Sequence, residues 1–272
     1  MATSKIVFIG AGHMATSLIF GMINQGIDPK RISACDHNPP KLKKLNQDYA
    51  ITTFADSVKA IQNADIVVLA VKPQVMQPLC ERFHQESDLS HKLFISIAAG
   101  ISCNRLTQWL GNVPIIRCMP NLPAKIGLGV TGLYADQDIT PDQRIEATQI
   151  MSAVGKTIWV SKEDAINHII AIAGSSPAYF FLFMDAMQQY AQELGFSSDD
   201  ARDIVTQTAL GSVTLAIDSA EQTLATMCQN VAVKGGTTAE AIRTFEQAGL
   251  RNTVKQAMQA AIERGRQLEL QL

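Results

Sequence analysis

The sequence predicts a doubly wound parallel α/β sheet followed by an all-helical second domain. Three observations carry this. Near the start, Lys5-Ile6-Val7-Phe8-Ile9 runs directly into Gly10-Ala11-Gly12-His13-Met14-Ala15 and then into a helical pattern. Apolar strand-like runs then alternate with helical segments up to about residue 160, the arrangement of a parallel sheet with crossover helices. From Ser161 onward, convincing strands disappear.

The opening stretch organises the rest. Ile6 to Ile9 is a continuous apolar run, as a buried parallel strand requires. Gly10-Ala11-Gly12 forces a tight turn, and Thr16 to Ile23 continues as a helix with apolar positions at helical spacing. Together these residues form G-x-G-x-x-A, the alanine-ended dinucleotide fingerprint of Rossmann-type sheets. Gly10 permits the turn. Gly12, with no β-carbon, lets a pyrophosphate approach the backbone, and Ala15 lets helix pack closely on strand. Amides at the helix start, with the helix dipole, attract the anion. A second strand, Arg31 to Cys35, ends at Asp36, about 20 residues beyond the motif, where a ribose-binding acid is expected. The plainer alternative is a nucleotide-free turn with Asp36 capping the next helix.

Composition narrows the class. The chain has 272 residues, 47% hydrophobic and 18% charged, with a formal net charge of −2. That length suits one large domain or two ordinary ones. No basic stripe points to nucleic acid. The N-terminus enters the first strand at once, so no signal peptide is expected. The longest uncharged apolar stretch, Ile169 to Met184, contains Gly174-Ser175-Ser176-Pro177, a break not expected in a membrane-spanning helix. Cys35, Cys80, Cys103, Cys118 and Cys228 show no metal spacing and suit free thiols in a reducing cytoplasm. Nor do His13, His37, His84, His91 and His168 show metal or triad spacing; surface or fold roles suffice.

The remaining elements follow in order. Pro39 to Asn46 reads as a helix, Ile51 to Thr53 as a short strand, and Ser57 to Gln62 as a helix begun by Asp56. Asp65 to Val71 is a central strand, stopped at Lys72-Pro73 because proline cannot extend the ladder. A helix containing Pro78 follows. Leu93 to Ile97 is a strand closed by Ala98-Ala99-Gly100, Ser102 caps a helix over Asn104 to Leu110, and Val113 to Cys118 is a sixth strand. Val130 to Ala135 and Thr157 to Val160 flank a helix starting near Pro141 and extend the sheet on one edge. Thereafter helices are expected at Asp164–Ala173, Pro177–Leu194, Asp199–Ser219, Glu221–Gln229, Thr238–Ala248 and Thr253–Leu270, with Gly195 and Gly249 at helix ends. The expected domains are 1–160 and 161–272.

Two clusters in the second half carry chemistry. In Lys234-Gly235-Gly236-Thr237-Thr238, two glycines free the backbone to turn its amides one way and two threonines begin a helix. Such an N-terminus suits an anion such as a small carboxylate. The alternative is a hinge with Thr237 as N-cap and Glu240 completing a capping box. In Gly174-Ser175-Ser176-Pro177-Ala178-Tyr179, the small residues either cap and kink two buried helices or let nicotinamide and substrate approach the backbone. Met184, Met187, Phe180, Phe181 and Phe183 read as helix core or subunit interface.

These motifs carry a resemblance. The sequence resembles pyrroline-5-carboxylate reductases in Gly10-Ala11-Gly12-His13-Met14-Ala15, Ala70-Val71-Lys72-Pro73-Gln74, Ser96-Ile97-Ala98-Ala99-Gly100, Arg117 to Ala124, Gly174 to Tyr179, and Gly235-Gly236-Thr237-Thr238. They run in family order over nearly the whole chain, and together they are highly specific. The resemblance implies reduction of L-1-pyrroline-5-carboxylate to L-proline, the last step of proline biosynthesis, by hydride from NADPH or NADH. It implies cofactor contacts at Gly10, Ala11, Gly12, His13, Met14, Ala15, Asp36, Asp56, Val71, Lys72, Pro73, Ala98, Gly100 and Asn121. It implies substrate contacts at Ser175, Gly235, Gly236, Thr237 and Thr238, with Thr238 and Glu221 catalytic and no metal. Glu221 has a plainer role open to it, as an exposed first-turn acid. Lys72 has one in backbone positioning, with Pro73 ending the strand. The resemblance also implies an intertwined homodimer through the helical half, with neither nucleic-acid nor membrane partner.

Some positions depart from the family. Lys234 stands where many members have proline and Val233 replaces a serine, so one carboxylate-binding hydroxyl is absent. Ser176 is often glycine, and Asp56 is often an asparagine that contacts ribose. Two other classes fit parts of the pattern. A β-hydroxyacid dehydrogenase would need a catalytic lysine in a Gly-x-x-x-Asn-x-x-x-Lys setting, which the sequence lacks. A non-catalytic dinucleotide sensor would bind NADPH and turn over no imine.

Overall fold

The structure is a computed structural model that describes residues 4–135 and 139–271. The central apolar runs, Ile6–Ile9, Ile66–Leu69 and Leu93–Ser96, become strands buried on both faces by the helices on either side. β1 (Ile6–Ile9), β2 (Ile32–Cys35), β3 (Thr52–Phe54), β4 (Ile66–Leu69), β5 (Leu93–Ser96), β6 (Ile115–Met119), β7 (Gly129–Ala135) and β8 (Gly155–Trp159) form one sheet, in the order 3-2-1-4-5-6-7-8. β1 pairs in parallel with β2 and β4, placing Ile9 opposite both Cys35 and Leu69. Alternate residues of β1 then feed two cores. Ile6 and Phe8 join Leu18, Ile19 and Met22 of α1 (His13–Asn24) and Ile150 and Met151 of α6 (Pro141–Ser152). Val7 and Ile9 join Ile61 of α3 (Ser57–Gln62), Cys80 and Phe83 of α4 (Met76–Glu86) and Leu106 of α5 (Cys103–Leu110).

One strand departs from the expected parallel sheet. β7 runs antiparallel to β6, with Cys118 opposite Leu133. The reason is length. Only residues 120–128 join the two strands, as a short 3₁₀ turn at Leu122–Ile126, and a parallel crossover needs a dozen residues or more. β8 pairs in parallel with β7 because α6 supplies a crossover. The sixth strand also starts later than expected, at Ile115.

The chain divides into two compact units, residues 1–175 with 261–272, and residues 176–260. Residues 161–175 and 261–272, expected with the helical part, therefore belong by compactness to the sheet unit. Charge holds the returning segment there. Arg117 on β6, 1% exposed, donates to Glu163 at 2.8 Å and to Glu269. Arg266 forks onto Asp164 at 2.9 and 2.6 Å. A buried guanidinium needs such partners, because a lone charge at that depth is costly.

The Gly174-Ser175-Ser176-Pro177 stretch does not break the helix. α7 (Ala165–Ile169) passes through a π-helical turn at Ile170–Gly174 into α8 (Ser176–Glu193). The sequence argument against a spanning helix therefore fails: an 18-residue window within Ala165–Glu193 reaches a mean hydropathy of 1.5, so the helix is long and apolar enough, by length and composition alone, to cross a membrane. The second unit continues with α9 (Ser198–Asp218), α10 (Leu224–Val231) and α11 (Thr237–Gln247), and α12 (Leu250–Gln271) returns to the first. α10 starts three residues later than expected because Thr223, not Gln222 or Glu221, supplies the cap, accepting from the Thr226 amide at 3.1 Å. Many apolar side chains of this unit are exposed in the single chain, among them Phe180, Phe181, Leu182, Leu210 and Ile217.

The Arg266 fork makes a testable pH dependence. It is the chief cause holding Asp164 down from its ordinary value of 3.8 to about 2. A depressed acid stabilises the fold above its unfolded value and loses that contribution as pH falls through its folded value. Arg266→Ala is expected to lower the denaturation midpoint at neutral pH, with the gap to wild type closing between about pH 4 and about pH 2. A gap unchanged by pH in parallel urea titrations would refute the assignment.

Candidate active site

The carboxyl ends of β1, β2 and β4 open onto one cleft, where a doubly wound sheet receives its ligand. Gly10, at the end of β1, has φ +104, and a β-carbon there would lie 2.6 Å from the Ala70 carbonyl oxygen. The fold itself therefore demands this glycine. Gly12 is different. It is the N-cap of α1 with φ −76 and ψ 177, and no protein atom lies within 4 Å of the β-carbon it lacks. The backbone is bare on that side, and Gly12 stands in the wall of the cleft. Ala15 is buried against the strand, 1% exposed.

Gly10, Gly12, Asp36, Val71 and Lys72 line a cavity of about 480 Å³ together with His37, Lys41, Leu79 and Arg82. A second cavity, of about 470 Å³, lies on the other side of the turn, with Ala11, Gly12, His13, Lys41, Lys44 and Lys125 in its wall. Of the residues expected for a dinucleotide, Gly10, Ala11, Gly12, His13, Asp36, Val71 and Lys72 line these two cavities, while Met14, Ala15, Asp56, Pro73, Ala98, Gly100 and Asn121 line neither. Pro73 opens a 3₁₀ turn after Lys72. Ala98 and Gly100, the latter at φ +76, follow β5 at the same sheet edge. Met14 packs against the core of the first face.

Asp36 has more work than a ribose ligand alone. Its Oδ2 accepts the Ala11 amide at 2.8 Å and its Oδ1 accepts the Asn38 amide at 2.9 Å. Its side chain is 6% exposed, and Lys41 Nζ stands 3.9 Å away. The carboxylate thus ties the end of β2 to the glycine turn. The alternative, in which Asp36 caps the next helix, does not hold: Asn38 caps α2 (Pro39–Tyr49), accepting from the Lys41 amide. Asp56 caps α3 through the Val58 amide at 2.9 Å, and this bond is the main cause holding its carboxyl below the ordinary range. It also pairs with Arg82 at 3.5 Å.

Arg82 is the residue the sequence reading missed. No arginine stands between Asp36 and Arg82 in the chain, so the loop after β2 carries no guanidinium of its own. The fold supplies one from α4, at the mouth of the same cavity. Nothing local in the sequence marks it; only the β4–α4 crossover brings it there. Burial, with Asp36 and Asp56 as lesser causes, pushes the Cys35 thiol up to about 11, while Arg82 pulls it down.

The Asn121 side chain is anchored inside its own unit. Its Nδ2 donates to the Ala173 carbonyl at 3.0 Å and its Oδ1 accepts the Val130 amide at 2.9 Å. Among the described residues, no group of three His, Cys, Asp or Glu side chains gathers as metal ligands.

The second unit carries the remaining site residues. Gly236 donates to the Val233 carbonyl at 3.0 Å, closing a turn whose third residue, Gly235, has φ +79. That is a type II turn, in which proline is common at the second position. Lys234 occupies it, so the family's proline is replaced without loss of the turn. Gly236, not Thr237, caps α11, and no side chain caps it. Glu240 pairs with Arg243 at 2.7 Å. The capping-box alternative therefore fails, and the Thr237 and Thr238 hydroxyls are not consumed by capping. Glu221 lies exposed in the turn between α9 and α10, outside any helix, so its reading as a first-turn acid fails too.

Comparison with known proteins identifies this arrangement. A family model described as pyrroline-5-carboxylate reductase dimerisation matches residues 163–268, and one described as NADP oxidoreductase, coenzyme F420-dependent, matches residues 5–100. A pyrroline-5-carboxylate reductase of Vibrio alginolyticus is 44% identical over 270 residues, covering 99% of each chain. The chain belongs to the pyrroline-5-carboxylate reductase family. A solved structure from Coxiella burnetii, a pyrroline-5-carboxylate reductase, superposes with a TM-score of 0.94 at 39% identity, covering 98% of this chain and 99% of that one. The Plasmodium falciparum pyrroline carboxylate reductase, solved with NADP bound, gives 0.86 at 25% identity, covering 99% of both.

Gly12 gives a clean test. Its dihedrals suit any residue and its surroundings hold no obstacle, so Gly12→Val is expected to fold normally and to lose dinucleotide binding. Unchanged NADPH affinity in a fluorescence titration, with an unchanged melt, would remove the pyrophosphate from this turn.

Proposed function

We propose that this chain reduces L-1-pyrroline-5-carboxylate to L-proline, the last step of proline biosynthesis, with NADPH or NADH as donor. The observation that carries the reading is the bare Gly12 backbone at the head of the cleft, in a chain whose family membership extends from end to end. The residues fit the dinucleotide: the Gly10–Ala15 turn offers amides and a helix N-terminus to the pyrophosphate, and Asp36 keeps that turn in shape from beneath.

When bound, the dinucleotide supplies the hydride that adds to the imine carbon. The chain's own residues do the rest. Gly235, Gly236 and the first amides of α11 receive the substrate carboxylate, and Thr237 adds a hydroxyl. The Thr238 hydroxyl bonds the ring nitrogen or the carboxylate. Glu221 favours the protonated imine electrostatically, so that the nitrogen retains its proton as the carbon accepts hydride. Ser175 lines the substrate. Val71, Lys72, Pro73, Ala98 and Gly100 follow the sheet's carboxyl edge toward the nicotinamide end.

We further take residues 1–160 as the dinucleotide-binding segment and 161–272 as the segment that pairs two copies, in line with the family match over 163–268. The exposed apolar side chains of α8 and α9 are then the surface a second copy covers. A cytoplasmic location agrees with five free cysteines.

The assay is oxidation of NADPH on addition of pyrroline-5-carboxylate. Thr238→Ala is expected to lower kcat/KM for the imine strongly and to leave cofactor affinity alone; the reverse pattern would misassign the hydroxyl. Cofactor choice has its own test. Asp36 faces Ala11 and is offset by Lys41, and Arg82 stands at the cavity mouth, so a 2′-phosphate meets cations as well as one acid. Both cofactors are expected to work. Arg82→Ala should reduce kcat/KM for NADPH about tenfold more than for NADH, equivalent to about 1.4 kcal/mol. Equal losses with the two cofactors would take Arg82 away from the phosphate.

A further inference from the structure

We propose that Asn121 is a positioning residue: its side-chain amide replaces the backbone N–H that Pro177 lacks, and so fixes the π turn that presents Ser175. This rests on the reading above in which Ser175 lines the substrate.

The argument begins with the backbone. In α-helical register the carbonyl of residue 173 is bonded by the N–H of residue 177. Proline has no N–H, so this bond cannot form. Ala173 is 8% exposed, and a carbonyl left unpaired at such a depth is costly. The structure answers with Asn121 Nδ2, 3.0 Å from the Ala173 oxygen. The amide is not free to turn elsewhere. Its other end accepts the Val130 amide at 2.9 Å, and Asn121 is itself 8% exposed. One side chain therefore bridges β7 to the turn.

The turn it holds is unusual. Residues Ile170–Gly174 are π-helical, closed by the Ser175 amide donating to the Ile170 carbonyl at 2.7 Å. Such a turn carries one residue more than an α turn, and π turns recur at functional sites. Met119 packs on it from the same side: a β-carbon on Gly174 would lie 3.3 Å from Met119 Cε. Met119, which ends β6, and Asn121, just after it, thus hold the turn at two adjacent residues, by packing at Gly174 and by hydrogen bond at Ala173. Ser175 is the next residue, and its direction follows from the turn. One N–H and one oxygen lone pair of the Asn121 amide are thus engaged inside the unit.

The experiment uses Asn121→Asp, Pro177→Ala and the double variant in the full chain. Asn121→Asp keeps the acceptor for Val130 and replaces the donor to Ala173 with a second oxygen. It is expected to lower the melting temperature and to raise KM for pyrroline-5-carboxylate about tenfold, a modest loss of one oriented contact. Affinity for NADPH, measured without substrate, should stay as in wild type. Pro177→Ala restores a backbone donor, so in the double variant about half or more of the melting loss should return. Melting effects that simply add would overturn the exchange. NADPH affinity falling in step with KM would overturn the positioning role and make Asn121 a cofactor contact. A wild-type chain inert toward the imine would sink the reductase reading instead; the melting cycle decides the exchange on its own.

Discussion

The close approach of the Gly10 backbone to the Ala70 carbonyl governs this molecule. A single β-carbon there would collide with the carbonyl of the neighbouring strand's end. Because the gap is closed, β1 and β4 end level, Ile9 beside Leu69, and the chain must turn at once into α1. That turn points α1's free amides along the sheet edge. It also brings the Ala11 amide within reach of Asp36, which draws the end of β2 into the same corner. Three strands and a helix are thus fixed by one contact, and the ligand cleft is what remains open beside them.

The contrast between Gly10 and Gly12 shows how a motif divides its labour. Both are required by the fingerprint, and the sequence cannot tell them apart. In space, a β-carbon on Gly10 would strike the Ala70 carbonyl, whereas one on Gly12 would meet open space. Asp36 makes a related point: the residue expected to meet the ribose spends both oxygens on backbone amides, so its charge serves the turn first.

Much of the first unit was legible because its signals are local. Apolar runs between polar breaks gave the strands, and Asp56 and Ser102 marked helix starts that hold. What was not legible depends on distance or on counting. The reversal of β7 follows from the nine residues after β6, a clue present in the sequence that outweighs the alternating pattern. Arg82 reaches the cleft only through a crossover. The Gly174–Pro177 stretch reads as a break, yet Asn121, far back in the chain, supplies the missing donor and the helix runs on. Thr237 looks like a cap and leaves that task to Gly236, because the type II turn before it already sets the helix's entry.

The tether between Arg117 and Glu269 has a consequence for how the chain is made. The partners stand 152 positions apart, and the whole of residues 176–260 lies between them. During synthesis from the N-terminus, every strand of the sheet has been made before Glu269 exists. Until then Arg117 has only Glu163 against it in a site where a lone cation is expensive, and closing so long a loop comes late. Glu269 is made after every strand of the sheet and after residues 176–260, so the last turn of α12 can close the Arg117 pairing only when synthesis is nearly done.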